Sequence, residues 1–358
     1  MKIASVTLTG NNQNIIADAI SSVVDLVDLC IVVDTGSTDQ SMQIAKTIAG
    51  DKFVPASFPW INDFAAARNY CLKAATEAGA DWALVLDTDE RMIFNDEDVR
   101  KALNETNAGS VIVNCTNNTY GKVRFIKLPN LAEYMGPTHE VYPGYKVGSI
   151  TLEKMKFDEL GKNAEQLKFK FERDVEILLK HTSENPKDPR WFYYLGDSYK
   201  NLNRLHEAIA AYEKCWQLNG WDEESAWCMY RAAECFISLN DLTKAIECCA
   251  KGLARHPAIA ELPWLAGWCS YKKGLFDKAI AWCKISLSLG YPEGIASMVH
   301  RIGFRHPPGL WEGPYDVLRW TYREILKQNP NNEEIKKLIA TYDEKCDQIY
   351  KRRLSGKD

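Results

Sequence analysis

A short apolar run that stops abruptly at three acidic residues constrains the fold of this chain most. Residues 82–86 read WALVL, and Asp87, Asp89 and Glu90 follow. An unbroken run of this length is typical of a parallel strand covered on both faces. Ligands bind at the carboxyl ends of such strands, where a D-x-D pair can offer oxygens to Mg²⁺ or Mn²⁺. The alternative is that these acids only solvate a turn.

Strands and helices alternate before this run, which predicts an α/β fold with a mostly parallel, Rossmann-like sheet. Ser37 and Gln40 have the spacing of a capping box, which predicts that a helix begins near residue 38 and ends at Gly50. The predicted strands cover residues 3–8, 30–33, 53–58 and 82–86, and the predicted helices cover residues 14–27, 38–49 and 62–78.

Asp34 follows one predicted strand and Asp87 follows another, so both should lie at the same edge of the sheet. A carboxylate there can accept hydrogen bonds from a nucleotide base or a ribose hydroxyl. Ser37 and the following helix N-terminus can approach an anion. The alternative for Asp34 is a purely turn-forming role.

Arg68 lies on a predicted helix that is rich in small residues, within the segment DFAAARN. Small residues allow the helix to pack close to the sheet, so the guanidinium can reach a phosphate or a carboxylate. The alternative is an arginine on a solvated helix face.

Three segments in fixed order carry a family resemblance: VVDTGSTD at residues 32–39, DFAAARN at 63–69 and LDTDE at 86–90. Together they resemble the nucleotide-sugar domain of family 2 glycosyltransferases, which has the GT-A fold. The resemblance is greatest to bacterial members that carry tetratricopeptide repeats, and its motifs cover about the first 145 residues.

The resemblance implies an inverting transfer from a nucleoside diphosphate sugar, commonly a UDP-sugar, assisted by Mn²⁺ or Mg²⁺. By this match Asp34 holds the nucleotide base, Asp87 holds the ribose and the water shell of the metal, and Asp89 binds the metal directly. Arg68 lies near the nucleotide or its diphosphate.

Two later segments, RFIK at residues 124–127 and GPTHE at 136–140, correspond to an Arg-x-Phe-Arg strand and a Gly-x-x-His-Glu element of the family. The match assigns Arg124 to the donor. We assign His139 to the metal or the diphosphate, and Glu140 to the base that an inverting transfer needs, with Asp63 as the alternative base. A structural role remains the alternative for His139.

The second half of the chain predicts tetratricopeptide-like helix pairs that stack into a solenoid. Its small residues recur with a regular step: Ala208, Ala245 and Ala279 are separated by 37 and 34 residues. Tryptophans in this half are expected in the repeat core. We place the domain boundary near Gly161, which gives a transferase domain at residues 1–161 and a solenoid at 162–358.

Composition restricts the class of protein further. The net charge of −4 provides no basic field for nucleic acid. The sequence has no apolar run of transmembrane length and no signal-peptide core, which favours a cytoplasmic protein. Eight of the eleven cysteines follow residue 200, and none is part of a C-x-x-C motif. We therefore expect the cysteine side chains to be small buried apolar groups of the core.

We therefore expect a metal-assisted inverting glycosyltransferase that acts on a glycan, a lipid-linked or a polypeptide acceptor. The solenoid is expected to contact the acceptor, a partner protein or a second copy of the chain. The main alternative is an inactive transferase fold that serves as a scaffold, which two departures from the family favour: GNNQ at residues 10–13, and Phe157 near the position of a family histidine. A nucleotidyltransferase is a weaker alternative because no glycine-rich, lysine-bearing phosphate loop is present.

Overall fold

The computed structural model describes residues 1–115, 118–290 and 312–355. The chain divides into two compact units, Met1–Lys170 and Phe171–Asp358. Each has hydrophobic clusters of its own. The domain boundary expected near residue 161 stays a prediction.

The first unit is built on one sheet of eight strands in the order β3-β2-β1-β4-β7-β6-β8-β5. The strands are β1 Ile3–Thr9, β2 Leu29–Asp34, β3 Phe53–Ser57, β4 Trp82–Val85, β5 Glu90–Asn95, β6 Ala108–Cys115, β7 Asn118–Lys127 and β8 Ser149–Glu159. The helices are α1 Ile16–Val23, α2 Ser41–Ala49, α3 Phe64–Glu77 and α4 Val99–Ala102, and α5, Ala164–Glu184, begins in this unit.

The strands β3, β2, β1 and β4 are parallel to one another. On its other side, β4 pairs antiparallel with β7. β6 runs antiparallel to β7 and parallel to β8, and β5 runs antiparallel to β8. The sheet is therefore mixed, and its four consecutive parallel strands lie in the first 90 residues. This arrangement confirms the predicted α/β class.

Alternating strand residues supply two cores, one on each face of the sheet. In β2, Cys30 and Val32 join the cluster that contains residues of α1 and α2, whereas Ile31 and Val33 join the cluster that contains residues of α3. Burial on both faces explains why β2 and β4 read as unbroken apolar runs.

Two strands and one helix start differ from the sequence prediction. β5 was missed because its acidic beginning resembles a turn, and β8 was missed because its exposed and buried residues follow no simple alternation. The predicted start of α2 near residue 38 is wrong, because the amide of Ser37 donates to Asp34 and the helix begins at Ser41 without a side-chain cap.

In its described residues, the second unit consists of helices that pack largely as successive pairs, as the repeat spacing predicts. They are α6 Pro189–Asn201, α7 Leu205–Leu218, α8 Asp222–Ser238, α9 Leu242–Arg255, α10 Glu261–Lys272, α11 Phe276–Leu289, α12 Gly313–Gln328 and α13 Glu333–Ser355. The alanines with the regular step, Ala208, Ala245 and Ala279, are completely buried.

Close packing within the pairs depends on small residues at fixed places. A Cβ on Gly196 would lie 2.5 Å from the ring of Tyr212, and a Cβ on Gly267 would lie 2.6 Å from Sγ of Cys283. These distances are shorter than real contacts, so glycine lets the two helices of each pair approach.

The aromatic and sulfur side chains of this unit are mainly core, as expected. Trp227 is fully buried, and Trp216, Trp264, Trp268 and Trp282 pack against the core, whereas Trp221 is exposed. Ten of the eleven cysteines are buried, and Cys115 is partly exposed. Within residues 1–115, 118–290 and 312–355, no helix is long and apolar enough to cross a membrane.

Candidate functional site

The candidate site lies at the carboxyl edge of the parallel strands. Asp34 ends β2 and Asp87 follows β4, and β1 is the one strand between them in the sheet. The amide of Leu86 donates to the carbonyl of Val6, which continues the β4–β1 ladder up to Asp87. The topology thus places both acids at the same edge.

Asp34 is held in a tight turn by its own chain. Its Oδ1 accepts hydrogen bonds from the amides of Gly36 at 3.0 Å and Ser37 at 2.7 Å. Burial acts to raise the pKa of Asp34, but hydrogen bonds from Ser37 and Gly36 outweigh it and lower the pKa. Both backbone bonds use the same oxygen, and the amide of Ser37 is committed to this turn.

Asp87 is surrounded by three basic side chains. Its Oδ1 accepts from Arg68 Nη2 at 2.6 Å, and its Oδ2 accepts from Lys122 Nζ at 3.1 Å and Arg124 Nη2 at 2.8 Å. Burial acts to raise the pKa of this carboxyl, yet the three cations hold it well below its usual range. Asp87 is therefore ionised at neutral pH.

Glu90 lies beneath this group and is almost completely buried. Its Oε1 accepts from Arg124 and, at 3.4 Å, from Lys122, while its Oε2 accepts from the amide of Asp87 at 3.4 Å. Arg124 itself is only 1% exposed. Its contact with the donor stays a prediction.

Arg68 connects Asp87 to the later GPTHE segment. Its Nε donates to Glu140 Oε1 at 2.7 Å, while its Nη2 holds Asp87. On the same helix, Asn69 exchanges two hydrogen bonds with the backbone of Tyr134, at 2.7 and 3.1 Å. Helix α3 therefore fixes the loop before Glu140 as well as Glu140 itself.

A cavity of about 250 Å³ opens beside the Arg68–Glu140 pair. Its walls combine charged groups with aromatic rings, a combination found in sites that bind polar ring compounds. The lining residues from the loop are Tyr134, Glu140, Val141, Tyr142 and Tyr145, and those from α3 and β7 are Arg68, Gly121, Lys122, Val123 and Arg124.

Asp89 has different neighbours from Asp87. Its Oδ2 accepts from Lys162 Nζ at 2.7 Å, and the same ammonium donates to Glu159 Oε1 at 3.1 Å. Burial acts to lower the pKa of Lys162, but Asp89 and Glu159 outweigh it and raise the pKa. A lysine ammonium is thus bound at the carboxylate that the resemblance assigns to a metal.

Asp63 and His139 are the remaining predicted residues. Asp63 is the N-cap of α3 and accepts from the amide of Ala66 at 2.9 Å. His139 is exposed and has a left-handed backbone, with φ of 50°. Across the described ranges, no three His, Cys, Asp or Glu side chains converge in a way that could hold a metal ion. The base and metal roles of Asp63 and His139 stay predictions.

Several important partners were not identified from the sequence. Lys122 could have been found, because it lies two residues before Arg124 on a strand, where side chains share a face. Lys162 and Glu159 could not, because the strand that brings them to Asp89 was not predicted. The fold thus turns isolated motif residues into two separate ion-pair groups.

Comparisons with known proteins agree with this architecture. Residues 6–165 match the family model described as glycosyl transferase family 2, and residues 192–220 match that of a tetratricopeptide repeat. A TPR repeat-containing protein of Synechococcus elongatus is 37% identical over 129 residues, which is 34% of this chain and 30% of that protein. An uncharacterized glycosyltransferase of Rickettsia typhi is 34% identical over 91 residues, 25% of this chain and 29% of its own.

The glycosyltransferase SunS of the Bacillus subtilis prophage SPbeta is 24% identical over 214 residues, 56% of this chain and 49% of its own. The chain thus spans between about a third and a half of the length of these relatives. Among solved structures, a crystal structure of MamA has a TM-score of 0.41 at 16% identity. The match covers 55% of this chain and 99% of the MamA chain.

The structure of YrrB, which is described as a TPR protein with an unusual peptide-binding site, has a TM-score of 0.36 at 14% identity. The match covers 51% of this chain and 82% of the YrrB chain. The sheet of the first unit and the helix pairs of the second agree with the two family matches. The chain thus joins a region that matches the glycosyl transferase family 2 model, residues 6–165, to a helical region in which residues 192–220 match a tetratricopeptide repeat.

Proposed function

We propose that this protein is a glycosyltransferase that moves a sugar from a nucleoside diphosphate sugar, expected to be a UDP-sugar, to an acceptor with inversion at the anomeric carbon. The observation that carries the proposal is the family 2 match over residues 6–165, the segment that contains both edge acids and the cavity. The helical region is proposed to bind the acceptor, a partner protein or a second copy.

Asp34 and Asp87 are proposed to bind the nucleoside. The turn amides occupy Oδ1 of Asp34, so Oδ2 is the oxygen proposed to accept from the base. A carboxylate has about four acceptor positions, and three basic groups use three of those on Asp87. Asp87 therefore has room for one further donor, which we assign to a ribose hydroxyl.

The transfer step needs an acceptor oxygen, a base and cations. The acceptor oxygen attacks the anomeric carbon, the bond from that carbon to the phosphate oxygen breaks, and the electron pair leaves with the diphosphate. Glu140 takes the acceptor proton, because Arg68 fixes its Oε1 and its side chain lines the cavity. The ammonium of Lys122, which lines the same cavity, offsets charge on the departing diphosphate.

A divalent ion, Mn²⁺ or Mg²⁺, also belongs to the proposal. The oxygen ligands at Asp89 suit such an ion, whereas Asp87 is largely occupied by basic groups. When bound, the ion would act as a Lewis acid toward the diphosphate. Asp89 is the residue that would hold it.

The test is release of nucleoside diphosphate from a panel of UDP- and GDP-sugars, with glycan, lipid-linked and peptide acceptors. We expect Glu140→Gln to lower turnover at least about 100-fold. The matched variant is Asp63→Asn, because asparagine is an equally good helix N-cap and keeps α3 intact. Unchanged Glu140→Gln activity with a large loss in Asp63→Asn would transfer the base role to Asp63.

Two observations favour the scaffold alternative, in which the transferase fold is inactive. Three ion pairs occupy Asp87, and Phe157, near the place of a family histidine, is fully buried in the core. A folded protein that neither binds nor hydrolyses any nucleotide sugar would favour this alternative over catalysis.

A further inference from the structure

We infer that Asp89 and Glu159 form a two-carboxylate cation site whose resident cation is the ammonium of Lys162, and that a divalent cation binds there only by displacing this lysine. The catalytic use of the ion rests on the proposed function. The exchange of cations rests only on the geometry of Asp89, Glu159 and Lys162.

The backbone brings the two carboxylates together without help from the lysine side chain. β5 and β8 pair antiparallel with Glu90 opposite Glu159, and the amide of Leu160 donates to the carbonyl of Asp89 at 2.8 Å. The carboxylates therefore stay adjacent when the lysine side chain moves away.

The lysine ammonium has the position that a bound metal ion would need. Nζ of Lys162 lies 2.7 Å from Asp89 Oδ2 and 3.1 Å from Glu159 Oε1. Divalent ions bind carboxylate oxygens at roughly 2.0–2.6 Å, so only small side-chain movements would bring both oxygens to an ion. The hydroxyl of Tyr120 donates to the other oxygen of Glu159 at 3.2 Å and orients this carboxylate.

Exposure at this site favours exchange. Two carboxylates share one ammonium, and the guanidinium of Arg91 also interacts with Asp89. The side chains of Asp89, Glu159 and Lys162 are each between 26% and 28% exposed, so water and ions reach them. Glu90, by contrast, is 1% exposed and pairs with the buried Arg124. Solvent ions can therefore compete at Asp89 but not at Glu90.

The experiment measures Mn²⁺ binding alone, with no nucleotide or sugar. Free Mn²⁺ is followed by electron paramagnetic resonance during titration of the full chain and of Lys162→Gln. We expect the variant to bind Mn²⁺ about fivefold more tightly, because the competing ion pair is lost. The matched control is Lys154→Gln, which removes a lysine of β8 that pairs with Asp96 at the surface.

Second substitutions locate the ion. Adding Glu159→Gln or Asp89→Asn to the Lys162→Gln variant should abolish the gain, and Lys162→Met should reproduce it. Equal Mn²⁺ affinity in wild type and both Lys162 variants, or a gain that survives Glu159→Gln, would overturn the inference. Because no sugar donor is present, either result leaves the glycosyltransferase proposal to its own assay.

Discussion

At the sheet edge of the first unit, three basic side chains hold Asp87 in place, whereas in the second unit Tyr212 lies against the bare backbone of Gly196. The first arrangement depends on charges that must be paired once they leave water. The second depends on the absence of a single methyl group. Local charge balance therefore maintains the candidate site, while close helix packing maintains the repeats.

The largest expected effect is loss of the buried guanidinium. Arg124→Met leaves Glu90 and Asp87 with fewer cations, so we expect the first unit to lose about 3–5 kcal/mol of stability. Urea unfolding with hydrogen exchange as a regional readout measures this. Lys73→Met, which breaks an exposed pair with Glu77, should change stability by less than about 0.5 kcal/mol.

Hydrogen exchange should place the Arg124→Met loss in the first unit. Equal loss of protection in α6 and α7 would contradict the assignment of separate cores to the two units.

The second effect concerns packing. Gly196→Ala gains helix propensity of about 1 kcal/mol but drives a methyl group into the ring of Tyr212. The ring cannot move freely because its hydroxyl donates to Asp197 at 2.6 Å. We expect a net loss of about 1–2 kcal/mol, confined to the second unit. Gly121→Ala, where a Cβ meets nothing within 4 Å, is the control, and an equal loss there would contradict the packing explanation.

The third effect is a dependence of stability on pH. Because the pKa of Asp87 is lower in the folded protein than in the unfolded chain, its stabilising contribution is complete above the unfolded value near 3.8. That contribution is lost as pH falls through the folded pKa. Asp87→Asn should therefore have a flatter stability profile than wild type below about pH 4. Parallel profiles for the two proteins would show that the three cations do not stabilise the ionised carboxylate.

The smallest effect on stability is expected at Asp89, the second acid of the D-x-D pair. Asp89→Asn removes a partly exposed ion pair with Lys162, so stability should fall by at most about 1 kcal/mol. Urea unfolding at neutral pH measures it beside Asp87→Asn, which should lose more. A loss at Asp89 as large as that at Asp87 would contradict the distinction between a carboxylate held by three cations and an exchangeable one.

The sequence predicted the parallel part of the fold because its strands are buried on both faces and end in recognisable polar residues. The places of Asp34 and Asp87 follow from that pattern alone. The repeat step of Ala208, Ala245 and Ala279 similarly predicted the helix pairs. These features depend on local periodicity, which can be read from a single sequence.

Contacts between distant segments could not be predicted in this way. Arg68 and Glu140 are 72 residues apart, and nothing in either segment specifies the other as its partner. Lys162 meets Asp89 only because β8 pairs with β5, and neither strand has clear alternation. The ion pairs of the site are products of tertiary structure.

The most direct test of the central claim is calorimetric titration of UDP and GDP into wild type, Asp34→Asn and Asp89→Asn, with Mn²⁺, with Mg²⁺ and with chelator. We predict that wild type binds one of the two nucleotides, that Asp34→Asn weakens binding under all conditions, and that Asp89→Asn removes only the part of the binding that depends on metal. Absence of nucleotide binding by folded wild-type protein under every condition would contradict the proposal that this sheet edge is a nucleotide-sugar site.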